Sequence, residues 1–580
     1  MPLFSTPFSD HLGTNYVPDD FERSQIVHTL AEPVSRSQKL QGDISHIQSL
    51  IEESLQRKTA LQDSIVLHQR LLSPFRCLPD DILQQIFLFC LPQAHNAVMD
   101  LHDPPFLLCR VCYRWKSVAY RTPRLWATLH IPLPIHPVQP VVDTHLQFED
   151  YQNTLSVFND RVIKHCDSIR TWLLRAGTCP LSLSLHPTIT YPIQAKTYLK
   201  PYLETLVEFS TRWYNLELTV LTGEYSTFFA SIPSSAVPIL DTLYISFVQH
   251  WQDWGQPHDD AWRTSGMIGN PSLRTLYFHH FPFPMSQLNV DWSLMTHLEI
   301  PDHRTSWQDR GLTIEEAYVL FNMCQNLRHC AVDVEDTPDA KCSWANLSLR
   351  YLETLDILDA AHSLPTLLKV VDFPSLRSVK FHTLFWPSRS RRSPLITLLS
   401  NAQSINIVAL SMNLQMLTLE DWMEIVQLTP NVQRFASESC RRGPSDEQAT
   451  WLRGIQDFPI DFITVSLKML TPDQDKLCIW PNLSHVDLGR IRRLFDEDVL
   501  EFLKKRMGMA YATDRVVRMK HFKTTFLRDQ TEDIRPPLSC YIDVEDGLKL
   551  ELIYPAVRVA IPGSVRPRKG LFKRNEYFRP

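Results

Sequence analysis

Glycine is scarce: the chain has 15 among 580 residues, and no two are separated by a single residue. Neither a dinucleotide fingerprint nor a Walker loop is therefore written here, because both need closely spaced glycines to bring backbone onto phosphate. No stretch approaches the ~18 consecutive apolar residues that span a bilayer. The opening MPLFSTPFSDHLGTNYVPDD has no basic leader followed by an apolar run, so no secretory signal is expected and the expected location is cytoplasmic and/or nuclear. Neither sign of charge dominates, since 64 acidic and 58 basic side chains leave a net charge of −6, which disfavours bulk nucleic-acid binding. The 12 cysteines are scattered among apolar neighbours, as at Cys90 in FLFC and Cys478 in KLCIW, and read as small buried hydrophobes rather than disulfides.

Chemistry-bearing motifs are also missing. No G-x-S-x-G elbow occurs, and His279, His280 and His297 lack a ligand pattern such as H-E-x-x-H. Cys109 and Cys112 form a C-x-x-C with no second pair at suitable spacing, and both are expected on one helix as core residues. Paired acids such as Asp19-Asp20 and Asp259-Asp260 sit in polar loops where nothing would separate their pKa values. The triplets Asn346-Leu347-Ser348 and Asn482-Leu483-Ser484 belong to a leucine pattern rather than to glycosylation. The expectation is a non-catalytic chain with no metal and no cofactor.

What is present is length and repetition. A chain of 580 residues exceeds the ~100 to 200 of one domain several times over. Residues 1–36 mix proline, serine and charge without periodicity and read as disordered. From Leu40 the apolar residues Ile44, Ile47, Ile51, Leu55, Leu61, Ile65 and Leu72 recur at helical offsets, so 37–72 reads as a long amphipathic helix. Lys58 and His68 break a strict heptad, and the seam fits either a coiled-coil dimer or packing on the helix's own chain.

Residues 155–175 place Leu155, Phe158, Ile163, Cys166, Ile169 and Leu173 near one helix face, with Gly177 as a stop. The form apolar-x-x-apolar-x-apolar then recurs: LDTLYI at Leu240, LRTLYF at Leu273, MTHLEI at Met295, LRHCAV at Leu327, LETLDI at Leu352, LRSVKF at Leu376, INIVAL at Ile405 and LSHVDL at Leu483. Starts lie about 22 to 33 residues apart up to Ile405, near the spacing of leucine-rich repeats. Each unit offers a strand with alternate residues inward and a returning segment, such as AYVLFNMC or DWMEIVQL, to cover it. Residues 150–490 are thus expected to form an irregular α/β solenoid. Its outward face, with Tyr244, Tyr277, His279, Arg328 and Lys380, is either a binding surface or only solvated. In 491–580, FDEDVLEFLKKRMG reads as a closing cap helix ended by Gly508, and the basic run from Arg566 to Arg574 as a nuclear-import patch, an anionic-surface patch or a solvated tail.

The segment 73–132 stands apart. In LPDDILQQIF, Pro79 suits a first helical position, Asp80 and Asp81 complement the helix's positive end, and Ile82, Leu83, Ile86, Phe87 and Cys90 fall on one stripe. A second helix is expected from Asp103 as cap through Leu108, Val111, Cys112, Trp115 and Ala119, and a third start at Thr122-Pro123 carries Leu125 and Trp126. So small an all-α unit buries little on its own, so a partner or the rest of the chain must cover it.

Over residues 73–131, LPDDILQQIF, VCYRW and TPRLW taken in order resemble the F-box. With the helical lead-in and irregular leucine repeats, the chain is similar to the expanded F-box family of mushroom-forming fungi. The resemblance implies a substrate-recognition adaptor for ubiquitin-dependent degradation. The F-box would dock on a Skp-type adaptor, and through it on a cullin-RING ligase, while the repeats hold a protein substrate, with no nucleic acid and no membrane involved. Carried over residue by residue, Leu78, Pro79, Ile82, Leu83, Ile86 and Phe87 would form the docking edge, with Val111, Cys112, Trp115 and Trp126 completing the unit and part of its interface with the Skp-type adaptor. The connection QAHNAVMDLHDPP is several residues longer than the family's usual one. The rival expectation is an interaction scaffold whose helical segment packs on its own repeats and recruits no ligase.

Overall fold

The computed structural model describes residues 6–555 except 73, 135–144, 188–198, 221–223, 248–259, 280–284, 302–310, 336–343, 361–363, 384–391, 438–461, 473–477, 492–493, 513–515, 543 and 545–546. The chain divides into two compact units, Met1–Leu83 and Gln84–Pro580. The basic run near the C-terminus and Asp259 lie outside the described residues.

In the first unit one helix, Asp20–Leu71, runs for 52 residues. It begins well before residue 37, so the segment read as disordered is helical from Asp20 onward. The reason is a reciprocal cap: the Glu22 N–H donates to the Asp19 carboxylate at 2.8 Å, and the Asp19 N–H donates to the Glu22 carboxylate at 3.0 Å. Pro33 lies inside the helix, removing one N–H without ending it.

The second unit is built on a 15-stranded parallel sheet with helices and turns returning between strands, an α/β repeat of solenoid type. Its strands start at Thr128, Leu181, Trp213, Thr242, Thr275, His297, His329, Thr354, Ser378, Ala409, Arg434, His485, His521 and Lys549, in spatial order as in the chain, with the short Leu312–Thr313 beside His329–Glu335. Leu183, Leu216, Leu243, Leu276, Leu298, Cys330 and Leu355 sit side by side in register, all buried. Each such residue stabilises the array by roughly 1.5–3 kcal/mol, but only once the next repeat covers it.

The return segments behave as their patterns require. Helix Ile314–Met323 buries Ile314, Ala317, Leu320 and Phe321 behind a Thr313/Glu316 capping box, and helix Leu419–Leu428 buries Trp422, Ile425 and Val426 behind Thr418. Helix His145–Arg175 ends before Gly177, whose φ of +56° is the left-handed turn that favours glycine. In four repeats the polar residue ahead of the first apolar position also has a task. Ser272, Asn326, Ser375 and Asn431 donate side-chain hydrogen bonds to the carbonyls of Pro238, Ser293, Arg350 and Ile405 in the preceding repeat.

The sheet exceeds the expected 150–490 at both ends. It opens at Thr128–Leu133, inside the segment read as all-helical, where Leu129, Ile131 and Leu133 alternate inward. It continues past 490 with His521–Phe526 and Lys549–Ile553. The expected cap helix, Asp496–Ala512, is therefore a return segment, and it runs through Gly508 without stopping. Two fully buried charges anchor this end. Arg506 donates to the carbonyls of Trp480 at 2.6 Å and Leu483 at 3.1 Å, while Asp496 accepts from Arg528, Thr531, Glu532 and Tyr554.

Candidate functional site

The sequence nominates a helical front segment. Helix Asp80–Phe89 starts two residues after Leu78, with Asp80 and Asp81 in its first turn; Pro79 stands just ahead, its carbonyl accepting the Leu83 N–H at 3.1 Å. The expected single stripe divides in two. Leu83 and Phe87, one turn apart, are fully buried, whereas Ile82 is 45% and Phe89 81% exposed, with Ile86 between them in sequence and half-buried. Leu78 is half-buried and Pro79 exposed; Cys90, read on the buried stripe, is exposed.

The expected second helix is two. Phe106–Cys109 ends at Arg110, and Tyr113–Tyr120 begins after Cys112, whose backbone is extended and whose Sγ accepts the Trp115 N–H at 3.4 Å. Cys109 and Cys112 thus do not share a helix. The break leaves Val111 56% exposed and Cys112 and Tyr113 exposed, while Trp115 turns back to place its ring 4.9 Å from that of Phe87. Burial pushes the Cys109 thiol pKa up, opposed by the nearby Arg175 and Lys116 cations.

Trp126 is not a surface residue. It is fully buried, donates from Nε1 to the Ala119 carbonyl at 2.9 Å, and packs on Trp172 of helix His145–Arg175 at 4.8 Å and Phe106 at 5.7 Å, with the Arg175 guanidinium 4.7 Å from its ring. Its place among the docking residues is corrected: it joins the short helices to the first repeat. The long connection is explained by the same junction. The His130 N–H donates to the Ala97 carbonyl at 2.7 Å, Val98 bridges to His130, and the Ser182 hydroxyl donates to Asn96 at 2.8 Å. The extra residues form a rung along the sheet's first strand.

The second nominated surface is the outward row of the sheet. Register places Tyr244 beside Tyr277, then Glu299, Ala331, Asp356 and Lys380. Tyr244 lies 5.9 Å from Tyr277 and 5.1 Å from His279, ring to ring, whereas Lys380, expected to be open on this face, is buried and reaches Asp356 at 3.4 Å. Arg328, expected on this face, precedes its strand, its carbonyl accepting the Glu353 and Thr354 N–H groups. Sequence spacing missed a histidine pair on the face: His297 and His329 stack at 5.9 Å, and His329 Nε2 is 2.9 Å from Glu299 Oε1. At the strand-start edge, Glu353, Arg377, Asn406, Asn431, Gln433 and Asn482 line a polar cavity of about 570 Å³. No cluster of His, Cys, Asp and Glu suited to a metal forms among the described residues, and no helix among them is long and apolar enough to cross a membrane.

Burial, then the neighbouring His329, lowers the His297 pKa against the opposing pull of Asp241 and Glu299. A histidine depressed in the folded state favours folding above its free value of about 6.5, and that contribution is lost as pH falls through the lower folded value. Thermal melts should therefore fall between about pH 7 and pH 5, and His297→Gln should shrink that drop; an equal drop in the variant contradicts the assignment.

No family model matches the chain, and no curated protein matches its sequence.

Proposed function

We propose that the chain is the substrate-recognition subunit of a Skp-cullin-F-box type ubiquitin ligase, non-catalytic itself. Residues 73–131 act as the F-box and dock on a Skp-type adaptor, and the repeat sheet holds the protein to be ubiquitinated in the cytoplasm or nucleus. The observation that carries this reading is the divided stripe of helix Asp80–Phe89. Leu83 and Phe87 are buried, yet Ile82 and Phe89 stand 45% and 81% exposed. Large apolar groups held out on an ordered helix suit a partner's groove. Val111 and Tyr113, 56% and 88% exposed at the start of the next helix, extend the supply of uncovered apolar surface.

The docking residues are accordingly Leu78, Pro79, Ile82, Ile86, Phe89, Val111 and Cys112. Leu83, Phe87 and Trp115 shape the unit from within. The test is co-purification of the full chain with a Skp-type adaptor, wild type against Ile82→Asp combined with Phe89→Asp. Both positions are exposed, so the variant keeps its fold. Losing two apolar anchors of roughly 1.5–3 kcal/mol each lowers affinity by about 100-fold or more. Undiminished binding by the variant sinks the docking assignment. A scaffold that recruits no ligase is favoured by one observation, the sealing of Trp126 on Trp172 of its own repeats. It predicts no adaptor binding by either protein.

A further inference from the structure

We propose that helix Asp20–Leu71 pairs with the same helix of a second copy of the chain, antiparallel, about a two-fold beside residue 56. The helix is continuous over its 52 residues, and its apolar side chains are uncovered: Leu40 is 56% exposed, Ile47 55%, Ile51 53%, Leu61 64% and Ile65 53%. These residues lie on one heptad seam that also contains Ser54, Lys58 and His68, and such a seam is buried by another helix of the same period.

The order of the seam selects the partner and its direction. Antiparallel pairing about residue 56 sets Leu40 against Leu72, Ile47 against Ile65, and Ile51 against Leu61 of the second copy. Lys58 meets Ser54 there, and Ile44 meets His68. Three apolar layers thus meet apolar layers on each side of the two-fold, the polar centre meets itself, and His68 faces Ile44 near each end. A parallel pair instead stacks Lys58 on Lys58 inside the seam, two like charges taken out of water. The flanks agree. Gln41 faces Gln69, Gln48 faces Gln62, and Leu55 meets its own copy across the two-fold. Arg57 also meets its copy, but its guanidinium is paired with Glu53 on its own helix. From residue 41 to 71 the paired helical stretch is about 45 Å long at 1.5 Å per residue, with Leu72 just past the helix end.

The test uses the full chain, and it is independent of any ligase. Light scattering at tens of micromolar is expected to give twice the 67.4 kDa chain mass. Ile47→Asp with Leu61→Asp, both exposed, is expected to return it to 67.4 kDa with unchanged β-sheet circular dichroism. Direction is read by oxidative cross-linking above the background of native thiols such as exposed Cys77. Ile51→Cys protein mixed with Leu61→Cys protein should give covalent dimer several-fold faster than either alone. A monomeric wild-type chain overturns the pairing. Linking by Ile51→Cys alone at the rate of the mixture overturns the antiparallel order.

Discussion

Trp126→Ala is expected to destabilise the first repeats by about 3–5 kcal/mol, the range for deleting a buried large aromatic side chain. The effect should be local at first. Trp126 is where helix Tyr113–Tyr120, the turn Pro123–Trp126 and helix His145–Arg175 meet, through its bond to Ala119 and its contact with Trp172. In a repeat array each unit leans on its neighbours, so loss of this contact should raise amide exchange in Thr128–Leu133 before the later strands respond. Ile82→Asp should leave exchange in the same strand unchanged. If Trp126→Ala impairs adaptor binding without loosening that strand, Trp126 belongs to the interface after all.

At the other end, Asp496→Asn is expected to cost about 3–5 kcal/mol at neutral pH, as for breaking a buried pair while leaving one charge behind. Asp496 is wholly buried and receives Thr531 Oγ1 at 2.6 Å, Tyr554 Oη at 2.7 Å, the Thr531 N–H at 2.8 Å and Arg528 Nη1 at 3.1 Å. Burial by itself raises the pKa of this carboxyl. The hydrogen bonds from Arg528, Thr531 and Tyr554 outweigh it and hold the group well below the usual carboxylate range. A folded value below the free value of about 3.9 means the contribution is present above that pH and is lost as pH falls through the folded value. The wild-type advantage over Asp496→Asn in urea midpoint should therefore be full at pH 7 and shrink below about pH 4. A gap independent of pH would show that the carboxylate's charge does not hold this junction.

The repeats were legible because their strands and returns keep distinct periods. Leu243, Leu276, Leu298 and Leu355 alternate with polar residues, and the small polar residues Ser272, Asn326, Ser375 and Asn431 ahead of four units mark the tie to the predecessor. The end strands were not legible. Pro132 in TLHIPL hides the first, and the inward Thr524, fully buried in HFKTTF, breaks the apolar alternation of a late one. The front segment was half legible. Spacing put Ile82, Leu83, Ile86 and Phe87 on a stripe, but adjacent residues that are all apolar cannot say which of them face inward. The ring of Trp115, 4.9 Å from Phe87, decides that, and it lies beyond a helix break at Arg110–Cys112 that continuous apolar spacing concealed.

Amide exchange of the full chain with and without a Skp-type adaptor tests the docking claim most directly. Slowed exchange confined to residues 78–89 and 107–117, with Thr354–Ala360 and the other central strands unchanged, is the expected result. Unchanged exchange over Asp80–Phe89 at saturating adaptor would contradict it.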